Sequence, residues 1–273
     1  MKGSPTILLT NDDGIHSRGL LMLKRRLDEL GRVVVVAPEG ERSGIGKALT
    51  IDSPIRVLRT RLADGSTAYA VTGTPADAVL LSLHKILNRP PSLLVSGINL
   101  GPNLGVDDFL NSGTLGACLE AAVHGVSSIA VSYAIRNLNL DDKRRFVGRR
   151  EDLELAASIA CEVVRYVLRE GMPQNVDIIS INVPENADPR RIRVTSLSYL
   201  GYGDIYRREG EGFRIMGWHL SDYPEDQPGT DLHAVREGWI SITPIKVRMI
   251  HNLEGMERLL HFLRLRLAQQ PTK

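Results

Sequence analysis

A chain of 273 residues, 42% of them hydrophobic, is long enough to bury a large core and is ordinary in composition for a globular protein. A formal charge of +2 gives no electrostatic case for a nucleic-acid polymer or a membrane surface as partner. No apolar run approaches the length of about 20 residues that a membrane span needs, and the N-terminus enters a strand without a signal-like stretch. The chain is therefore expected to be soluble and cytoplasmic, with Cys118 and Cys161 as buried, reduced thiols because they lack metal-type spacing.

The first element is the apolar run Ile7-Leu8-Leu9, which reads as a buried parallel strand. It ends in Thr10-Asn11-Asp12-Asp13-Gly14, and an amphipathic helix follows over about 19–30. In α/β sheets ligands bind at such strand ends. Two adjacent carboxylates repel each other unless solvent or a cation neutralises them, so this turn is a candidate metal site as well as a plain Asp-Gly turn. A strand over 33–37 leads into the glycine-rich loop 38–46, where Ser43 offers a hydroxyl. Strands over 56–60 and 68–71 precede Gly73-Thr74-Pro75-Ala76-Asp77, which opens a helix to about residue 87. Thr74 is the expected N-cap, Pro75 the first helical residue and Asp77 a first-turn acid, and Gly73 would also let a ligand approach the backbone.

The strand 93–95 ends in Ser96-Gly97-Ile98-Asn99-Leu100-Gly101-Pro102-Asn103, where Asn99 supplies a neutral amide oxygen. Carboxylates, an amide and a hydroxyl at consecutive strand ends form a hard, all-oxygen set suited to magnesium, manganese or calcium and not to structural zinc. Asn111-Ser112-Gly113-Thr114 then opens a helix over 114–124; its N–H groups, hydroxyls and helix dipole suit a phosphate, although capping alone would also explain them. A strand over 128–132, a charged and solvated excursion over 136–151, a long helix over 151–169 and a strand over 177–181 continue the alternation. The fold class is therefore α/β, a Rossmann-like doubly wound, mostly parallel sheet. After about residue 184 the pattern changes to strand-like segments over 191–197, 201–218 and 239–250 and a closing helix over 254–267. Residues 1–184 are read as the core carrying the site, and 185–273 as β-hairpin extensions plus a helix that lie against another subunit.

Several familiar chemistries are excluded. Gly44-Ile45-Gly46-Lys47 is followed by Ala48, and Glu41 stands where a P-loop needs its first glycine. The third glycine of a dinucleotide fingerprint is missing. Asn11 occupies the position of the nucleophile in aspartyl-phosphate enzymes, which disfavours a covalent intermediate. There is no G-x-S-x-G or H-E-x-x-H, and His16, His84, His124 and His261 read as structural or exposed.

Six blocks stand in one order: 7–14; 36–38 with 42–44; 73–77; 95–99 with 101–105; 112–114; and 229–231 with 241–244. Through them the chain resembles the SurE survival-protein family, the metal-dependent 5'/3'-nucleotidases, over nearly its whole length. The usual Tyr-Ser-Gly-Thr appears here as Asn111-Ser112-Gly113-Thr114. The resemblance implies one divalent ion per subunit, magnesium or manganese, on Asp12, Asp13, Ser43 and Asn99. Asp12, Asp13 and Asn99 are the expected catalytic residues; Ser112, Gly113 and Thr114 would take the phosphate, with Asn11, Gly44, Gly73, Thr74 and Asn103 completing the substrate-binding set. The implied reaction is hydrolysis of a nucleoside 5'- or possibly 3'-monophosphate by a metal-activated water, in a homodimer or homotetramer. The rivals are a broader phosphatase or exopolyphosphatase and a non-catalytic nucleotide-binding regulator. The carboxylate pair argues against the regulator, since an anion-binding module gains nothing from two negative charges beside a phosphate.

Overall fold

In the computed structural model the described residues are 4–135, 137–139, 149–215, 217–220, 223–247 and 256–268. The first half alternates β1 (Thr6–Thr10), α1 (Arg18–Leu27), β2 (Arg32–Pro38), β3 (Val57–Arg61), β4 (Thr67–Val71), α2 (Pro75–Leu81), β5 (Leu93–Leu100), α3 (Gly105–Asn111), α4 (Gly113–Val123) and β6 (Ser128–Ala134). The second half contains β7 (Asn137–Asn139), α5 (Arg150–Glu170), β8 (Ile178–Pro184), β9 (Ile192–Val194), β10 (Tyr206–Glu209), β11 (Gly212–Ile215), β12 (Gly217–His219), α6 (Asp231–Arg236), β13 (Ile240–Ile245) and α7 (Glu257–Ala268).

Among the described residues one sheet runs in the order β3-β4-β2-β1-β5-β6-β8-β13-β9. Its centre, from β4 to β8, is parallel throughout. The apolar strand runs follow from this position, because both faces are covered. Ile7 and Leu9 point into a core with Leu20, Leu23 and Leu27 of α1 and Ala157, Ala160 and Val164 of α5. Leu8 points the other way, into a core with Val79 of α2 and Leu115 and Cys118 of α4. The chain builds outward from β1 to β2 and β4, then returns to start again at β5 on the other side of β1. The strand order therefore reverses between β1 and β5, and that is where a doubly wound sheet opens its binding crevice.

The helix starts are locally encoded. Ser17 caps α1 by accepting the Leu20 N–H at 3.2 Å, and Lys24, Arg25 and Arg26 occupy its last turn, where cations oppose the dipole. The helix expected to run to residue 87 is α-helical only to Leu81 and finishes as a π-helical turn, Ser82–Ile86, in which Leu87 N–H donates to Ser82 O.

The tail differs from its sequence reading in the pairing of its strands and in the helix α6, which the sequence reading lacked. It does contain the antiparallel hairpin β10–β11, but β13 joins the main sheet antiparallel to β8, and β9 lies parallel to β13 at the edge. The sheet thus runs across residue 184. Strand alternation in 239–250 identified β13 but not its neighbour, because pairing partners are set by tertiary packing. Within the charged stretch 136–151, residues 137–139 form β7 against β12; residues 136 and 140–148 lie outside the described residues, as do 248–255, into which the expected last strand and helix extended.

Candidate active site

The end of β1 presents Asn11, Asp12 and Asp13. Asn11 is buried and serves the turn, its Nδ2 donating to Gly14 O at 3.1 Å and to Ser17 Oγ at 2.7 Å. Asp12 is buried and aimed at α4: Thr114 Oγ1 donates to Asp12 Oδ1 at 2.6 Å. A hydroxyl bonded to a carboxylate is worth roughly 1.5–3 kcal/mol, so this contact fixes the carboxylate against the helix start. Asp13 Oδ2 accepts the N–H of Leu100 at 3.0 Å, tying β1 to the end of β5.

Strand β5 is longer than its apolar run suggested, and its extension matters for the site. Pairing with β6 shifts between Ser96 and Asn99, and Gly97 sits there at φ 138°, where a Cβ would lie 2.3 Å from Val131 O. Such a bulge re-aims the side chain that follows. Asn99 Nδ2 donates to Gly101 O at 2.9 Å, while its Oδ1 is buried and without a hydrogen-bond partner among the described residues. A buried amide oxygen without a donor is costly unless something else binds it.

The loop after β2 closes over these residues. Arg42 N–H donates to Asp12 O at 2.7 Å, and its guanidinium donates to Thr72 O at 3.0 Å, which seats Ser43 beside the carboxylate. Ser43 Oγ donates to Glu41 Oε1 at 2.9 Å. At the start of α4, Ser112 is the N-cap, its Oγ accepting Leu115 N–H at 3.2 Å. The N–H groups of Gly113 and Thr114 follow it at positions where a helix has no internal acceptor for them. Gly113 packs directly on Asp12: a Cβ there would stand 2.8 Å from Asp12 Cβ and 3.1 Å from its Oδ2.

A cavity of about 440 Å³, open to solvent, is lined by Asp12, Ser43, Gly44, Asn99, Asn103 and Ser112 among the expected site residues. Asn103 is fixed there, its N–H donating to Asn182 Oδ1 at 2.9 Å and its Nδ2 to Ser132 Oγ at 2.7 Å. Asp13, Gly113 and Thr114 stand just behind this lining through the contacts described. Gly73 and Thr74 do not line the cavity. Thr74 accepts Asp77 N–H and donates to Ala48 O, Asp77 accepts from Thr74 N–H and Thr50, and a Cβ on Gly73 would lie 2.4 Å from Asp77 Oδ2. A capping box that also anchors the 48–50 segment accounts for both residues.

Two residues of the lining were missed in the sequence, Asp108 of α3 and Tyr202 of the tail. Asp108 Oδ2 accepts Leu104 N–H at 2.7 Å and the Tyr223 hydroxyl at 3.2 Å, and its Oδ1 meets the Tyr202 hydroxyl. Burial, with Asp231 and Asp107 nearby, pushes the Asp108 carboxyl up to about 8 against the pull of these hydrogen bonds. Asp231 is also raised by burial although Gly105, Ser198 and Leu232 N–H groups bond it. The available signal was Asp107-Asp108, a second adjacent carboxylate pair.

Among the described residues no three histidine, cysteine or carboxylate side chains converge on a common point. A cation here would therefore depend on the neutral oxygens of Ser43 and Asn99 beside Asp12 and Asp13. The unpartnered Asn99 Oδ1 fits that role.

The family model described as "Survival protein SurE" matches residues 7–204. A protein of Archaeoglobus fulgidus named "5'-nucleotidase SurE" is 40% identical over 251 residues, covering 91% of this chain and 94% of that one. One of the same name from Methanothermobacter thermautotrophicus is 44% identical over 191 residues, covering 70% and 72%. The crystal structure of the SurE protein from Aquifex aeolicus has a TM-score of 0.72 at 32% identity and covers 95% of this chain and 100% of that one. With a doubly wound sheet, a crevice at its reversal point and these matches over most of its length, the chain belongs to the SurE family.

Proposed function

We propose that the protein is a divalent-metal-dependent 5'-nucleotidase that hydrolyses nucleoside monophosphates to nucleoside and phosphate. The observation that carries this reading is the buried, unpartnered Asn99 Oδ1 sharing a cavity with Asp12 at the sheet's reversal point. The names of the relatives support the choice of substrate. Asp12, Asp13, Ser43 and Asn99 would hold one magnesium or manganese ion. When bound, it supplies Lewis acidity toward a phosphoryl oxygen and makes a nearby water more acidic.

The chain's own residues do the rest. Ser112 and the N–H groups of Gly113 and Thr114 hold the phosphoryl oxygens and stabilise the charge that grows on them, as donors at a helix start do. Thr114 and Leu100 hold Asp12 and Asp13 in place for the cation. Asn103 and Gly44 shape the surrounding substrate contacts, and Asn11 acts behind them by holding the turn.

In this reading residues 1–184 carry the metal and phosphate contacts, and 185–273 serve assembly and lend Tyr202 to the cavity wall. Phe213 of the hairpin and Leu259, Leu260, Phe262 and Leu263 of α7 are exposed apolar side chains that a second copy would cover in a homodimer or homotetramer. Cys118 and Cys161 are free and buried, in keeping with a reducing cytoplasm. No helix among the described residues is long and apolar enough to cross a membrane.

The test is phosphate release from a panel of 5'- and 3'-nucleoside monophosphates and short polyphosphate, with manganese, magnesium or EDTA. Release from 5'-monophosphates that EDTA abolishes is the expected result. Tight nucleotide binding without metal and without turnover would replace it with the regulator reading.

A further inference from the structure

Hydrolysis of a nucleoside monophosphate leaves one requirement without a residue. The ester oxygen departs as an alkoxide, a poor leaving group unless it receives a proton. Among the described residues no histidine lines the cavity, but Asp108 and Tyr202 do. Their placement is rigid. Asp108 lies in α3, whose end leads straight into Ser112, and its main-chain O accepts the Ser112 N–H at 2.8 Å. Tyr202 is held by its backbone, its N–H donating to Asp107 Oδ2 at 2.8 Å, and by its ring, which packs at 5.4 Å on Tyr223. Its hydroxyl meets Asp108 Oδ1 at the cavity wall.

We propose that Asp108, acting through the Tyr202 hydroxyl, is the proton source for the leaving group. The proposal rests on the phosphomonoesterase reading above. The water oxygen bonds to phosphorus while the bond from phosphorus to the ester oxygen breaks, leaving its electron pair on that oxygen. The Tyr202 hydroxyl gives its proton to the ester oxygen and takes the Asp108 proton in return. The products are a nucleoside hydroxyl and phosphate; the proton lost by the water goes to solvent, and Asp108 takes one back before the next turnover. Tyr202 is then the catalytic residue, and Asp108 acts through it.

The surroundings suit a carboxyl that keeps its proton. Asp107 on its own helix and Asp231 of α6 face it with like charge, Tyr202 and Tyr223 cover it from the tail, and the Leu104 N–H and the tyrosine hydroxyls pull the other way, toward the ionised form. Burial among these groups pushes it up to about 8, so that near neutrality the proton is in place. An ordinary exposed carboxylate would have lost it.

The experiment compares two esters. p-Nitrophenyl phosphate releases a phenolate that needs no proton, whereas a nucleoside 5'-monophosphate releases an alkoxide that does. Wild type, Asp108→Asn and Tyr202→Phe would be assayed on both with manganese, with folding checked by circular dichroism. Each variant is expected to lose about 100-fold in kcat on the nucleotide while keeping the aryl ester within about threefold. Wild-type turnover of the nucleotide should also fall as pH rises past about 8, a limb absent with the aryl ester. Equal losses on both esters in folded variants would mean a structural role and overturn the proposal, as would undiminished nucleotide turnover or the same alkaline limb for both esters. Tyr202→Phe and the wild-type profile keep the test intact if Asp108→Asn does not fold. Wild type inert toward both esters at every metal concentration would remove the hydrolase reading and this proton donor with it, an outcome distinct from active wild type with unaltered variants.

Discussion

Two carboxylates line one cavity, Asp12 and Asp108, and each sits in a different company. Asp12 and Asp13 stand at the end of β1 beside acceptor oxygens, among them the unpartnered Asn99 Oδ1. A cation held there would satisfy those oxygens. Asp107, Asp108 and Asp231 lie at the other elements of the wall, where backbone N–H groups and two tyrosine hydroxyls supply the donors. At Asp108 burial and the neighbouring carboxylates outweigh those donors and push the carboxyl up to about 8. A buried carboxyl thus keeps a proton where desolvation and like charge outweigh its hydrogen-bond donors.

The largest expected effect breaks the first group. Asp13→Ala should lower metal-dependent phosphate release by on the order of 10³-fold with the circular dichroism spectrum unchanged. Retained turnover in saturating manganese would show that the pair does not hold the ion. Next comes the contact between that pair and the phosphate end. Gly113→Ala places a methyl 2.8 Å from Asp12 Cβ and 3.1 Å from Arg42 O, so α4 must move away from the carboxylate. We expect a loss of about 100-fold in kcat/KM from misplaced donors. The same overpacking should cost about 1–3 kcal/mol of stability in a denaturant titration. Asn99→Ala is milder: it removes a neutral ligand, so the manganese concentration for half-maximal activity should rise by about 10–100-fold while saturating metal restores most of kcat. A drop in kcat that metal does not rescue would assign Asn99 to the substrate instead.

How much of this was legible depended on distance along the chain. Ile7-Leu8-Leu9 and Leu93-Leu94-Val95 announced themselves because a central parallel strand is apolar on both faces, and the turns that follow them carry Asp12 and Asn99. The Thr74, Pro75 and Asp77 cap was equally local, and it turned out to explain Gly73 as well. Asn99 itself depends on a bulge at Gly97, which no periodicity reveals. Asp108 and Tyr202 were out of reach, since their partnership spans 94 residues and joins a short helix to the tail. The return of β13 to β8 was hidden for the same reason: alternation in 240–245 identifies a strand but not the edge it joins.

The smallest effect sharpens the comparison without touching the chemistry. Asp108 has an ordinary value of 3.8 and a folded value of about 8, so between these limits the folded chain holds a proton that the unfolded chain has released. By linkage this contribution to stability is fully present below about pH 4 and is lost as pH rises through about 8. Asp231, raised for the same reason, acts with the same sign. Asp64 and Asp177 are lowered, so their contributions are present above 3.8 and vanish only in acid, outside this window. Between pH 5 and pH 9 the melting temperature of the metal-free protein should therefore fall, and Asp108→Asn should flatten the slope by roughly 8–16 °C over that range. A slope that survives Asp108→Asn would place the stored proton on another group, Asp231 first.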